Sequence, residues 1–281
     1  MRVAIIGLGL IGGSLGLALK AAGAEVSGYA RRSETASAAL ARGVVDKCGS
    51  DMPSTIKGAD IIVIATPVLA VKDVLVEIAE HFTKGVIVTD VASTKADVMK
   101  WAEEYLPEKA YFIGGHPMAG REFAGIAAAD ADLFRGCTYC LVPGGNVKAE
   151  SRRKMEDMVK TVGAKPFYID AKEHDAFVAG ISHLPHLLSV ALVSTTVNDP
   201  NWTAMSRLAS SGYRDTTRLA SGDPRMSRDI CLTNKKHIVE ALDRYIDSLQ
   251  ELRRLVSGGD EKIEEYFIKV REAREDWLRQ R

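Results

Sequence analysis

The sequence predicts an α/β protein, a parallel sheet with helices on its faces, continued by an all-helical part. Three observations predict it. Through residues 1–170, short β-like apolar runs alternate with segments of helical periodicity, as a parallel sheet with crossover helices demands. Beyond Asp170 no β-like alternation returns, and long helical periodicity takes over. The first apolar run breaks into Gly7-Leu8-Gly9-Leu10-Ile11-Gly12, the spacing of a dinucleotide-binding turn. Together they give a Rossmann-type domain over residues 1–170 and a helical domain over residues 171–281.

Each element follows in order. Arg2 to Ile6 is β-like, and Ser14 to Ala22 is a helical run that stops at Gly23. In such a turn the first glycine makes the tight bend, the second admits a pyrophosphate to the backbone, and the third lets helix and strand pack closely. Free N–H groups at the helix start then face the phosphates. Glu25 to Tyr29 is the second strand and Ser33 to Arg42 its helix. Ile61 to Ala65 is continuously apolar, as a strand covered on both faces should be, and Thr66-Pro67 ends it. Val71 to His81 reads as a helix, Val86 to Thr89 as a buried strand, and Lys95 to Tyr105 as a helix. Tyr111 to Ile113, Thr138 to Val142 and Pro166 to Ile169 supply shorter strands, with Glu150 to Val162 helical before the last. Helices are predicted over Ala171 to Asn198, Thr203 to Ala209, Pro224 to Ser257 and Asp260 to Arg279, broken at Gly212, Gly222-Asp223-Pro224 and Gly258-Gly259. Ile238, Leu242, Tyr245, Ile246, Leu249, Leu252 and Leu255 form an apolar stripe fit for the core or a second subunit.

Composition narrows the function. Lys plus Arg and Asp plus Glu both number 37 in 281 residues, so the formal net charge is zero and neither nucleic acid nor a membrane surface is indicated. The start of the chain lacks a basic region and a small-residue cleavage site, and no later segment offers about 20 unbroken apolar residues. A cytoplasmic location is expected. The four cysteines include Cys137-Thr-Tyr-Cys140, which runs into a strand and turn without a second ligand pair, so reduced structural thiols and no metal are expected.

Tyr29-Ala30-Arg31-Arg32-Ser33 closes the second strand without the acid that usually accepts from an NAD ribose. Two guanidiniums suited to a phosphate stand there instead, which favours NADP over NAD. Arg31, Arg32 and Ser33 therefore join the residues from Gly7 to Gly12, namely Gly7, Leu8, Gly9, Leu10, Ile11 and Gly12, as the expected cofactor contacts.

Substrate chemistry belongs in loops beyond the carboxyl ends of the strands. Ser93 stands in Thr89-Asp90-Val91-Ala92-Ser93-Thr94-Lys95 at a helix start, and His116 in a glycine and proline frame after a strand. His183 lies in Ile181-Ser182-His183-Leu184-Pro185-His186, and Arg214, Asp215 and Arg218 lie beyond Ser210. His81, His174 and His237 sit among charged residues and read as solvated helix positions.

In GLGLIGGSLGLAL, TDVASTK, GGHPMAG, ISHLPH and SSGYRDTTRLASGDPRMSRDI, in this order, the chain resembles the prephenate dehydrogenase family, which includes arogenate dehydrogenases. The resemblance implies hydride transfer from a cyclohexadienol to nicotinamide, coupled to loss of the ring carboxylate as carbon dioxide. It implies that His116 takes the proton of the ring hydroxyl, with Ser93 sharing that hydroxyl and helping to fix the histidine. Arg218 would clamp a substrate carboxylate, with His183 and Arg214 adding polar or positive groups around a dianionic substrate. Thr66 and Pro67 look like cofactor-loop contacts. Glu122 stands where the family often carries an acid among prephenate users, which favours prephenate over arogenate, and Ser227 replaces an aromatic of some relatives. The helical domain would bind substrate and form a homodimer. Two other readings predict different features. A β-hydroxyacid dehydrogenase needs a catalytic lysine in a glycine-rich helix, which does not follow residue 170, and a non-catalytic NAD(P)-sensing protein predicts an unremarkable loop at His116.

Overall fold

The computed structural model describes residues 1–121, 123–259 and 261–280. Two compact units result, Met1–Lys235 and the segment from Lys236 onward. The first begins with β1 (Arg2–Ile6), α1 (Leu10–Ala21), β2 (Glu25–Tyr29), α2 (Ser33–Ala41), β3 (Lys47–Cys48), α3 (Met52–Ile56), β4 (Ile61–Ile64), α4 (Val68–Ile78), β5 (Ile87–Asp90) and α5 (Ala96–Tyr105). It continues with β6 (Tyr111–Pro117), β7 (Thr138–Pro143), α6 (Ala149–Thr161) and β8 (Lys165–Tyr168). The strands form one sheet in the order β3-β2-β1-β4-β5-β6-β7-β8. Every pairing is parallel except β6 with β7, which run antiparallel with His116 opposite Cys140.

Residue alternation splits the core between the two faces of this sheet. Val3, Ile5, Ile61 and Val63 pack with Leu15 and Leu19 of α1 and with Met155 and Val159 of α6. Ala4, Ile6, Ile62 and Ile64 pack with Val71, Leu75 and Ile78 of α4 and Val98 of α5. Period-two alternation in strands buried on both faces accounts for the continuous apolar runs of the sequence. The strand order reverses between β1 and β4, which opens a crevice at their carboxyl ends.

The rest of the first unit is helical: α7 (Ala171–Val178), a π-turn over Ala179–His183, α8 (Leu184–Val197), α9 (Trp202–Met205), α10 (Ser211–Thr217) and α11 (Pro224–Thr233). From Ala171 to Val197 the helix is continuous and, by length and composition, long and apolar enough to cross a membrane. Its Asp175, His183 and Ser189 nevertheless bond to polar partners in the same unit. α12 (Lys235–Gly258) and α13 (Lys262–Arg279) follow.

The structure differs from the sequence reading in several places, among them the antiparallel β7 in an otherwise parallel sheet and the π-turn inside the helix expected from Ala171 to Asn198. Asn234, with φ −125°, breaks the single helix expected over Pro224 to Ser257 into α11 and α12. Its side chain is committed to tertiary hydrogen bonds, and its backbone leaves the helix there. The two-residue β3 and the short α3 are too brief to give a periodic signal. Gly212 lies inside α10 and interrupts nothing. β6 runs on to Pro117, so His116 is a strand residue rather than a loop residue.

Candidate active site

The three glycines of the first turn have different reasons to be glycine. Gly7 has φ +100°, and an added Cβ would lie 2.5 Å from the Ala65 carbonyl oxygen. A Cβ on Gly12 would lie 1.9 Å from the Gly7 carbonyl oxygen. A Cβ on Gly9 would meet nothing within 4 Å. Gly7 and Gly12 are thus required by the chain itself, and Gly9 keeps open a space over the start of α1. No side chain caps that helix, and its first turn holds no acid. Nearby, the Thr66 hydroxyl is buried without a partner, and Arg31 and Arg32 are exposed at the end of β2. Open backbone, free N–H donors, an orphaned hydroxyl and two exposed guanidiniums fit a phosphorylated dinucleotide.

His116 is placed by the two glycines before it. A Cβ on Gly114 would lie 2.9 Å from Met99 Sδ, and one on Gly115 would lie 2.5 Å from the Asp90 carbonyl oxygen. Their absence lets β6 close against β5 and α5. A fully buried Asp90–Lys95 ion pair then holds the Gly115 peptide from both sides. Lys95 Nζ donates to the Gly115 carbonyl at 2.7 Å, and Gly115 N–H donates to Asp90 Oδ1 at 3.1 Å. Burial draws the Lys95 ammonium below its ordinary range, and the Asp90 carboxylate opposes that shift.

The second wall comes from α7 and the π-turn. The Asp170 carboxylate caps α7, accepting from Lys172 N–H at 2.8 Å and from Glu173 N–H at 3.3 Å. In a regular α-helix, positions nine apart lie on opposite faces, about 180° apart. The π-turn absorbs a residue, and His174 and His183 are both buried, at 1% and 3% exposure. His174 Nε2 and His116 Nδ1 share a hydrogen bond of 2.9 Å, and His174 Nδ1 lies 2.8 Å from Asp175 Oδ1. The Asp175 carboxylate also accepts from Lys95 N–H at 2.7 Å and Ala96 N–H at 2.9 Å, which joins α7 to the start of α5. Asn234 Nδ2 donates to the Asp175 carbonyl at 2.7 Å and lies 3.2 Å from His183 Nδ1. Burial holds the His116 imidazole well below the usual histidine range, reinforced by His174, Lys95 and His183. Burial also takes His183 down to about 4, against the pull of Asp175.

A cavity of about 510 Å³ lies over the carboxyl edge of the sheet, facing the helices from Ile181 to Cys231. It gathers Leu10 and Ile11 from the start of α1, Ser93, His116, His183, His186 and Arg218. Other expected residues fall elsewhere. Arg214 does not line the cavity; it stands exposed on α10, 3.6 Å from Asp215. The side chain hydrogen-bonded to His116 is His174, where the sequence suggested Ser93. His174 is itself a correction, because it is buried rather than solvated. Its charged neighbours along the chain, Lys172 and Glu173, occupy other faces of α7, so local composition misleads there. Glu122 lies outside the described residues. His186, without a role in the sequence reading, lines the cavity and donates from Nδ1 to the Leu219 carbonyl at 3.0 Å. The buried Asp90, Lys95, Asp175 and Asn234 carry no motif of their own. The pairing of Asp90 with Lys95 across one loop was the readable signal.

Family models match nearly the whole chain: that of the prephenate dehydrogenase nucleotide-binding domain over residues 15–168, and that of the prephenate dehydrogenase dimerization domain over residues 170–272. A prephenate dehydrogenase of Bacillus subtilis is 36% identical over 278 residues, 97% of this chain and 75% of the relative. The crystal structure of Synechocystis arogenate dehydrogenase superposes with a TM-score of 0.84 at 31% identity, covering 99% of this chain and 100% of that one. That of prephenate dehydrogenase from A. aeolicus in complex with hydroxyphenyl propionate and NAD+ superposes with a TM-score of 0.90 at 28% identity, covering 98% of each chain.

Proposed function

The chain belongs to the prephenate dehydrogenase family, and from that premise we propose that it converts prephenate to 4-hydroxyphenylpyruvate and carbon dioxide in tyrosine biosynthesis. The observation that carries this reading is one cavity lined at once by the start of the glycine-turn helix, by His116 and by Arg218. A dinucleotide held along that turn supplies the hydride acceptor. His116 Nε2, the ring nitrogen left over from the bond to His174, accepts the hydrogen bond of the ring hydroxyl. It thereby stabilises the positive charge that develops on that oxygen as the carbinol C–H bond breaks. The electron pair of the ring carboxylate's C–C bond moves into the ring as carbon dioxide leaves, and aromatisation drives the step forward. The substrate loses one hydride and one carbon dioxide and keeps its hydroxyl, so His116 accepts a hydrogen bond and not, as the resemblance implied, the proton itself.

Ser93 holds the same hydroxyl, Arg218 pairs with a substrate carboxylate, and His183 and His186 line the remaining wall. Arg214, exposed and 3.6 Å from Asp215, makes no direct contact with the substrate in this reading. Gly7 to Gly12 with Thr66 and Pro67 cradle the dinucleotide. Ala30 in place of an acid, followed by exposed Arg31 and Arg32 beside Ser33, supports NADP over NAD. The apolar residues left exposed on α12 and α13 support a homodimer. Steady-state reduction of NADP and of NAD, each with prephenate and with arogenate, tests the proposal. The highest kcat/KM is expected with prephenate and NADP. Turnover of arogenate alone would reassign the substrate, a preference for NAD would overturn the phosphate argument, and turnover of neither substrate would overturn the function.

A further inference from the structure

The buried polar network behind the cavity has a direction, and Asp175 is its origin. We infer that Asp175 fixes His116 and His183 in opposite tautomers, acting through His174 on the first and through Asn234 on the second, so that the cavity meets substrate with one acceptor and one donor. This inference rests on the functional reading above only for what the cavity holds.

The first branch starts at a carboxylate. Asp175 accepts from His174 Nδ1–H at 2.8 Å, and its oxygens are held in place by the Lys95 and Ala96 amides. A neutral His174 protonated on Nδ1 has a lone pair on Nε2, so the 2.9 Å contact to His116 is completed by a proton on His116 Nδ1. His116 Nε2 is then an acceptor. The second branch starts at the Asp175 carbonyl, which can only accept. That obliges Asn234 to present its NH2 group, and the same nitrogen lies 3.2 Å from His183 Nδ1. His183 Nδ1 therefore accepts, and its proton resides on Nε2, an atom that is buried with no partner in the protein. An unsatisfied buried donor is costly in the free protein and is satisfied when an acceptor arrives.

The charged and titratable groups facing this pair are Lys95 from the β5–α5 loop with its partner Asp90 at the end of β5, His174 and Asp175 from α7, and His186 from α8. His174 and Asn234 are thus positioning residues, since neither lines the cavity.

Ring-nitrogen NMR of 15N-histidine-labelled full-length protein reads both tautomers without any turnover. Wild type is expected to show His116 protonated on Nδ1 and His183 on Nε2. His174→Phe removes the first branch, and should populate the Nε2–H form of His116 and lower kcat at least tenfold with KM within about threefold. His174→Gln keeps an acceptor for His116 and a donor for Asp175, and should restore the Nδ1–H form and most of kcat. Asn234→Ala should release His183 to a mixture of tautomers while leaving His116 unchanged. Wild-type His116 protonated on Nε2 would overturn the inference, as would His174→Phe with unaltered tautomer and kcat. Should His174→Phe fail to fold, the wild-type and His174→Gln spectra still decide it. An inactive wild type with the expected spectra would refute the functional reading and leave this one standing.

Discussion

His116 and His183 are imidazoles that folding keeps from taking up a proton. In the unfolded chain both titrate near pH 6.5, whereas burial holds His116 well below that range and His183 at about 4. As the pH falls below about 6.5, the unfolded chain binds protons that the folded chain refuses. The stability tied to these groups is therefore complete above that pH, and falls by up to about 1.4 kcal/mol per pH unit for each histidine as the solution is acidified towards pH 4. Urea unfolding midpoints, measured at one protein concentration, are expected to drop between pH 7.5 and pH 5.5. A midpoint that is flat or rises over that interval contradicts the burial of the two rings. Burial likewise keeps His116 unprotonated, and so able to accept, throughout the neutral range. His116 was legible in the sequence through its glycine and proline frame. His174 was not, because burial in α7 depends on which face meets β6, and the charges beside it in the chain lie on other faces.

Among the elements, the turn between β1 and α1 separates what the fold needs from what a ligand needs. Gly12→Ala pushes a methyl group to 1.9 Å from the Gly7 carbonyl, so the helix must shift away from the strand. Its unfolding temperature is expected to fall by roughly 5 °C. Gly9→Ala meets nothing within 4 Å, and is expected to unfold within about 2 °C of wild type. It should still weaken dinucleotide binding at least tenfold, about 1.4 kcal/mol, by titration calorimetry. A Gly9→Ala protein that binds the dinucleotide as wild type does would show that nothing approaches the backbone there. This turn, and the strands that feed it, were readable because their signals are local: glycine spacing, and apolar runs buried on both faces. The π-turn at Ala179–His183 and the helix break at Asn234 were not: neither carries a local sequence signal, and Asn234 is held by tertiary hydrogen bonds. The antiparallel β7 was equally hidden, because strand direction depends on the long connection from Pro117 to Thr138 and leaves no mark within the strand itself.

At the scale of the whole molecule, the sequence's apolar stripe divides. Ile238 and Leu255 are buried, whereas Ile246 and Leu249 on α12 are each 47% exposed. On α13, Phe267, Val270 and Trp277 are more than half exposed. Apolar residues spaced along one helix and left open to water suit contact with a second copy, and the dimerization-domain model reaches residue 272. Light scattering is expected to give a dimer at micromolar concentration, and Ile246→Asp combined with Leu249→Asp should give a monomer. A wild-type monomer at that concentration contradicts the homodimer.

In the proposed reaction His116, held at the end of β6 by Gly114, Gly115 and the Asp90–Lys95 pair, acts on the ring hydroxyl of prephenate. The most direct test is kcat with saturating prephenate and cofactor for wild type beside His116→Asn, with the variant's fold checked by its unfolding temperature. The asparagine keeps a polar side chain but lacks an imidazole nitrogen to stabilise developing positive charge. A loss in kcat of about 10²–10⁴-fold with the fold retained is expected. A folded His116→Asn enzyme that turns over prephenate at the wild-type rate would contradict it.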